Sequence, residues 1–147
     1  MANKFEVTRE DIISMNDYKL IRAERRKVIT DIKSDRRINV GSDATFYFEN
    51  YDTILHQILE MLWIEKGGDE QIGDELSAYN PLIPDGRELV STLMFEIDDP
   101  ERRASILSGL GGVEKKVLIS IGQNEKIFAT AEEDLDRTTA GGKASAV

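Results

Sequence analysis

The sequence predicts an α+β fold, with a mainly antiparallel sheet of about four strands packed against roughly three to five helices. Three observations lead there. Apolar residues recur at helical spacing through two long stretches. Two short apolar runs, Val117–Ile121 and Lys126–Ala129, flank a Gly122-Gln123-Asn124 turn, the pattern of a hairpin. Strict strand–helix alternation is absent, and so are GxGxxG and GxxxxGK[ST] phosphate loops, which removes the main arguments for a parallel doubly wound sheet.

Each element follows from its residues. Thr8 before Arg9-Glu10-Asp11 reads as the cap of a short helix reaching about Ser14, with acids in the first turn where the dipole favours them. Asn16 or Asp17 starts a longer helix that runs to about Arg36, and Gly41-Ser42 breaks the chain. Ala44–Glu49, aromatic and β-branched, predicts a strand. From Asp52 to Lys66, Ile54, Leu55, Ile58, Leu59, Met61 and Leu62 keep helical spacing until Gly67-Gly68 stops them. A shorter helix spans Asp69 to about Tyr79, and Asn80-Pro81-Leu82-Ile83-Pro84-Asp85-Gly86 forms a defined turn. Leu89–Ile97 predicts a strand. Asp98-Asp99-Pro100 opens a helix that ends at Gly109 or Gly111-Gly112. Residues 1–132 read as a single domain, and 133–147, rich in Thr, Gly and Ala, as a flexible or truncated tail.

Composition limits the chemistry. The 147 residues include no Cys and one His. Disulfides, Cys-ligated zinc or iron–sulfur clusters, thiol nucleophiles, three-His zinc sites and HExxH pairs are therefore excluded within one chain. The residues call for no cofactor. The net charge of −9 argues against general binding to nucleic acid or anionic membranes. That charge is uneven: residues 1–37 hold 10 basic and 7 acidic residues (+3), and residues 38–147 hold 9 and 21 (−12). The two segments should attract one another within the fold. The N-terminus lacks a signal-peptide pattern and the apolar runs are too short to span a bilayer, so a cytoplasmic protein is expected.

Polar residues that interrupt the apolar stripes are the candidates for function. On a helical wheel the first long helix aligns Tyr18, Ile21, Val28, Ile29 and Ile32, with Arg25 near the middle of the stripe, Arg22 at its edge and Arg36 at the frayed end. The second long helix carries Glu65 inside its own apolar stripe. A charge on an apolar face needs a partner or a route to water. The expectation is that Arg25, or Arg22, meets Glu65 or another acid between Glu60 and Glu75, as an Arg fork suits a carboxylate. The same arginines, with Arg36, provide a second reading as an anionic-metabolite site. The opposite face of the second helix carries Thr53, His56, Gln57 and Glu60. It reads first as a solvated polar face. A metal set of His56, Glu60 and Glu75 is the sharper alternative, suited to Mg, Mn, Ca or a di-iron pair. No GxSxG elbow accompanies the single His, and Trp63, at the stripe edge, reads as packing.

Several stretches resemble one bacterial family, the domain of unknown function 3501: Arg36–Gly41, Phe48-Glu49-Asn50, Gln57–Glu65, Glu75–Pro84 and Thr92–Glu96. Glu60, Glu65, Tyr79 and Asn80 fall within its most specific phrases. The resemblance implies an accessory role beside a rubrerythrin-like di-iron protein and an iron–sulfur oxidoreductase. With no cysteine, this chain would serve such a system as a partner and not as a cluster carrier. The resemblance also implies a longer chain, with a further apolar strand after Val147, and an aromatic residue where His56 stands. A missing strand would leave an edge open to pairing or self-association, which admits a homo-oligomer without requiring one. The leading functional expectation is a non-enzymatic accessory or interaction domain, with Arg22, Arg25, Glu60, Glu65, Tyr79 and Asn80 as its special residues.

Overall fold

The computed structural model describes residues 4–123 and 125–132. The expectations for the tail after Glu132 and for Asn124 lie outside the described residues. The fold is α+β, with two antiparallel sheets of three and two strands and four α-helices. By contact the chain divides into two compact units, Met1–Met94 and Phe95–Val147.

In the first unit, the helix expected after Thr8 is a single 3₁₀ turn, Arg9–Asp11. The Asp11 carboxylate accepts from the Thr8 backbone N–H (2.9 Å) and hydroxyl (3.1 Å), a capping box, but the chain turns extended at Ile12 and the helix goes no further. Helix α1 spans Met15–Ser34. Ser14, not Asn16 or Asp17, is its cap, accepting from the Asp17 N–H at 3.1 Å. The chain then forms a strand that the pattern did not reveal, β1 (Arg37–Val40), paired antiparallel with β2 (Ala44–Phe48) in the register Arg37↔Tyr47 to Val40↔Ala44. Gly41, at φ +67°, supplies the left-handed conformation of the turn between them. Strand β3 (Ser91–Phe95) completes the order β1-β2-β3, leaving β1 at one edge.

Helix α2 (Tyr51–Glu65) starts at a reciprocal Asn50–Thr53 capping box and ends on Lys66 in the left-handed region. Helix α3 (Asp69–Tyr79) and a 3₁₀ turn (Asn80–Leu82) follow. The core lies on one face of α2. Ile54, Ile58 and Leu62 are buried with Val7 and Ile83, and Ile12, Met15, Ile72, Leu76 and Tyr79 pack around them. The other long face of α2, read from sequence as solvated, lies against α1.

The second unit carries α4 (Pro100–Ser108), capped by Asp99, which accepts from the Arg102 N–H at 2.9 Å. It also carries the hairpin β4 (Leu118–Ser120) and β5 (Lys126–Phe128), paired antiparallel with Ile119 opposite Ile127. The expected hairpin is therefore present, as a sheet separate from β1-β2-β3.

Candidate functional site

The stripe of α1 that turns inward is not the one an apolar count selects. Residues 15, 18, 22, 25, 29, 32 and 36 are buried or half-buried, whereas Ile21 and Val28 are 42% and 51% exposed. The inward stripe thus runs Met15, Tyr18, Arg22, Arg25, Ile29, Ile32, a three–four spacing with two arginines at its centre. Across from it, α2 presents His56, Glu60 and Trp63 at the matching spacing. Tyr18 lies by Glu60 and Trp63 near the end of α2, and the Arg36 guanidinium reaches the backbone oxygens of Phe48 and Glu49 just before its start, so the two helices run antiparallel.

Glu60 is the hub of this seam. Its Oε1 accepts from the Tyr18 hydroxyl (2.5 Å) and from Arg22 Nε (2.9 Å), and its Oε2 accepts from Arg22 Nη2 (2.9 Å). The Arg–carboxylate fork is bidentate. The guanidinium also lies 5.4 Å from the Trp63 ring, and Tyr18 meets that ring edge-on at 6.1 Å. Arg22 holds the Glu60 carboxyl at about 2, against an ordinary 4.5, with the Tyr18 hydroxyl acting the same way and burial opposing both. Tyr18 is pushed well above the usual phenol range by burial and by the Glu60 carboxylate beside it. Arg22 is raised by its bonds to Glu60.

A testable pH dependence follows. A carboxyl with a depressed native pKa adds stability that is whole above its unfolded value and disappears as pH falls towards its folded one. The Glu60 contribution is therefore complete above about pH 4.5 and is lost between there and about pH 2. Urea unfolding at descending pH should show this loss, at most about 3 kcal/mol and less after solvent screening. Glu60→Gln should flatten that part of the profile; an unchanged slope would show that Glu60 carries no such linkage.

The other candidates separate from this hub. Glu65 is exposed and does not meet Arg25; its carboxylate accepts from Gln71 Nε2 at 2.9 Å. The same Gln71 amide donates to Glu75 (3.0 Å), while its oxygen accepts from the Gly67 N–H (2.8 Å). Gln71 thus ties the end of α2 to α3, a role that no sequence signal marked. Among the described residues no three His, Asp or Glu side chains come together as a metal site needs. His56, Glu60 and Glu75 are not brought into one set, since Glu60 is engaged by Arg22 and Glu75 by Gln71. Arg36 is spent on backbone oxygens (2.9 and 3.2 Å) and does not join an arginine cluster. Asn80 is a clamp: its Oδ1 accepts from the Val7 N–H (2.8 Å) and its Nδ2 donates to the Val7 carbonyl (3.0 Å), as a strand neighbour would. Tyr79 packs beside the core and accepts from Gln57 Nε2 at 3.5 Å.

Two nitrogens of the seam have no partner among the described residues. Arg25 Nε and His56 Nδ1 are both buried and unbonded. Burial lowers the His56 pKa below its ordinary value; Glu60 opposes that shift, and Lys33, Arg25 and Arg26 add to it.

The comparisons agree with this fold. A crystal structure of a protein of unknown function from Burkholderia pseudomallei matches with a TM-score of 0.85 and 35% identity, covering 95% of this chain and 72% of that one. A search of curated proteins finds no match. The family described as protein of unknown function (DUF3501) matches residues 6–147, and the chain belongs to it.

Proposed function

We propose that the protein is an accessory interaction module, not an enzyme, and that it docks a protein partner along the open edge of its three-stranded sheet. The observation that carries this reading is β1. All four of its residues are exposed, and Ile38 and Val40, two apart and so on one face, are 54% and 56% exposed. An edge that no strand pairs with among the described residues, bearing apolar side chains, is a template for another chain. The carboxylates that acid–base chemistry would draw on are instead engaged, Glu60 by Tyr18 and Arg22, and Glu65 and Glu75 by Gln71.

The family resemblance supports a redox metalloprotein as the partner, either rubrerythrin-like or iron–sulfur, and the cytoplasm is the proposed place of action. No helix among the described residues is long and apolar enough to cross a membrane. Affinity capture from the source organism with the wild-type chain should recover an iron protein, identified by elemental analysis, and Ile38→Lys/Val40→Lys should lose it. Recovery of no iron protein overturns the redox assignment. Capture unaffected by the double substitution overturns the edge. Light scattering on the same samples separates a heterologous partner from a second copy of this chain.

A further inference from the structure

One helical turn beyond the Glu60 hub, the seam between α1 and α2 changes character. Arg25 follows Arg22 by three residues and His56 precedes Glu60 by four, so the antiparallel register brings them opposite one another. Here the pairing fails. Tyr18, Arg22 and Glu60 satisfy each other, but Arg25 Nε and His56 Nδ1 are withdrawn from solvent with no acceptor or donor. Leaving buried polar nitrogens unmet is costly, and both of these lie on the seam between facing helices.

The charges around these two nitrogens define which partner would suit them. Acting on His56 are Arg25, Arg26 and Lys33 from α1, and Glu60 from its own helix. Glu60 is already bound by the Arg22 fork, so three cations face one committed carboxylate. Both residues are only half-buried overall, leaving a side open to solvent. A cation would meet repulsion here, and Arg25 Nε offers it no lone pair. An oxygen-bearing anion offers lone pairs to both nitrogens and charge to all three cations.

We propose that Arg25 and His56 form a binding site for a small oxyanion, which accepts from Arg25 Nε–H and from His56 Nδ1–H within the field of Arg26 and Lys33. The site does not depend on the edge of β1 and stands or falls separately from it. The imidazole joins as the Nδ1–H form, neutral or protonated, so a dianion should draw in a proton as it binds.

His56 is the only histidine in the chain, so its imidazole proton resonance is an unambiguous reporter. The whole protein is titrated with inorganic phosphate, sulfate and acetate at constant ionic strength maintained with chloride. Phosphate should give a saturable shift of that resonance, and the His56 pKa should rise in saturating phosphate. Sulfate following phosphate while acetate does not identifies a tetrahedral oxyanion; acetate behaving alike identifies carboxylates as well, and both support the site. Arg25→Gln should weaken the apparent affinity by about tenfold, the scale of one charge-assisted hydrogen bond. Arg25→Lys, which keeps the charge and lacks the Nε–H, should weaken it too, while exposed Lys27→Gln should not. No saturable shift with any of the three anions overturns the site. So does an unaltered affinity in both Arg25 variants, or no rise in the His56 pKa with phosphate.

Discussion

Replacing Asn80 with alanine should destabilise the protein by about 2–4 kcal/mol, since it strands two backbone groups of a buried residue. Val7 is 1% exposed and lies in the core with Ile54, Ile58, Leu62 and Ile83. The Asn80 amide is the partner of both its N–H and its carbonyl, at 2.8 and 3.0 Å. No other side chain has the short fork, one acceptor and one donor, needed to replace it. Asn80→Asp isolates the halves: it keeps an acceptor for the Val7 N–H and loses the donor to the carbonyl, so it should fall between wild type and alanine near neutral pH. Chemical denaturation reads the difference. A loss under about 0.5 kcal/mol, the scale of an ordinary surface change, would mean that water replaces the clamp without penalty.

Removing the Glu60 carboxylate should be the other large effect, about 1–3 kcal/mol for Glu60→Ala. The Tyr18 hydroxyl is then left in a fully buried residue without its acceptor, and Arg22 loses both hydrogen bonds of its fork. Tyr18→Phe should cost less, about 0.5–1.5 kcal/mol, because the carboxylate keeps Arg22. The two changes should be non-additive, the double mutant losing less than the sum of the single losses, since each removes the same contact. Strict additivity in a double-mutant cycle would show that the hydroxyl and the carboxylate are not coupled.

Helices α2, α3 and α4 were legible because each has sharp punctuation: Gly67-Gly68, Pro81 and Asp99-Pro100. Strand β1 was not. Arg37-Ile38-Asn39-Val40 alternates over only four residues, follows a charged helix without a break and buries nothing, so no apolar signal marks it. The inward stripe of α1 was misjudged for a related reason. The wheel places Arg25 mid-stripe, and it is half-buried there, but counting apolar residues favours Ile21 and Val28, while the fold turns Arg22 inward from the stripe's edge, because a carboxylate and an indole ring on another helix receive it. That an arginine of α1 would meet an acid between 60 and 75 could be inferred from the pattern; which acid could not. Glu65 sits about 140° around the helix from Glu60, and only the packing register of α1 on α2 selects between them. Asn80 stood out as part of a specific phrase, but its partner is 73 residues away in sequence and left no local trace.

That separation has a consequence for the order in which the protein is made. Val7 emerges from the ribosome long before Asn80, and at roughly 5–20 residues per second the interval is about 4–15 s. Throughout it, the N-terminal segment lacks its clamp, and Ile83, the last buried member of its cluster, has not yet been synthesised. The segment around Val7 is thus translated early and locked in place late, and Val7 stays unsheltered until α3 and the turn after it have been completed.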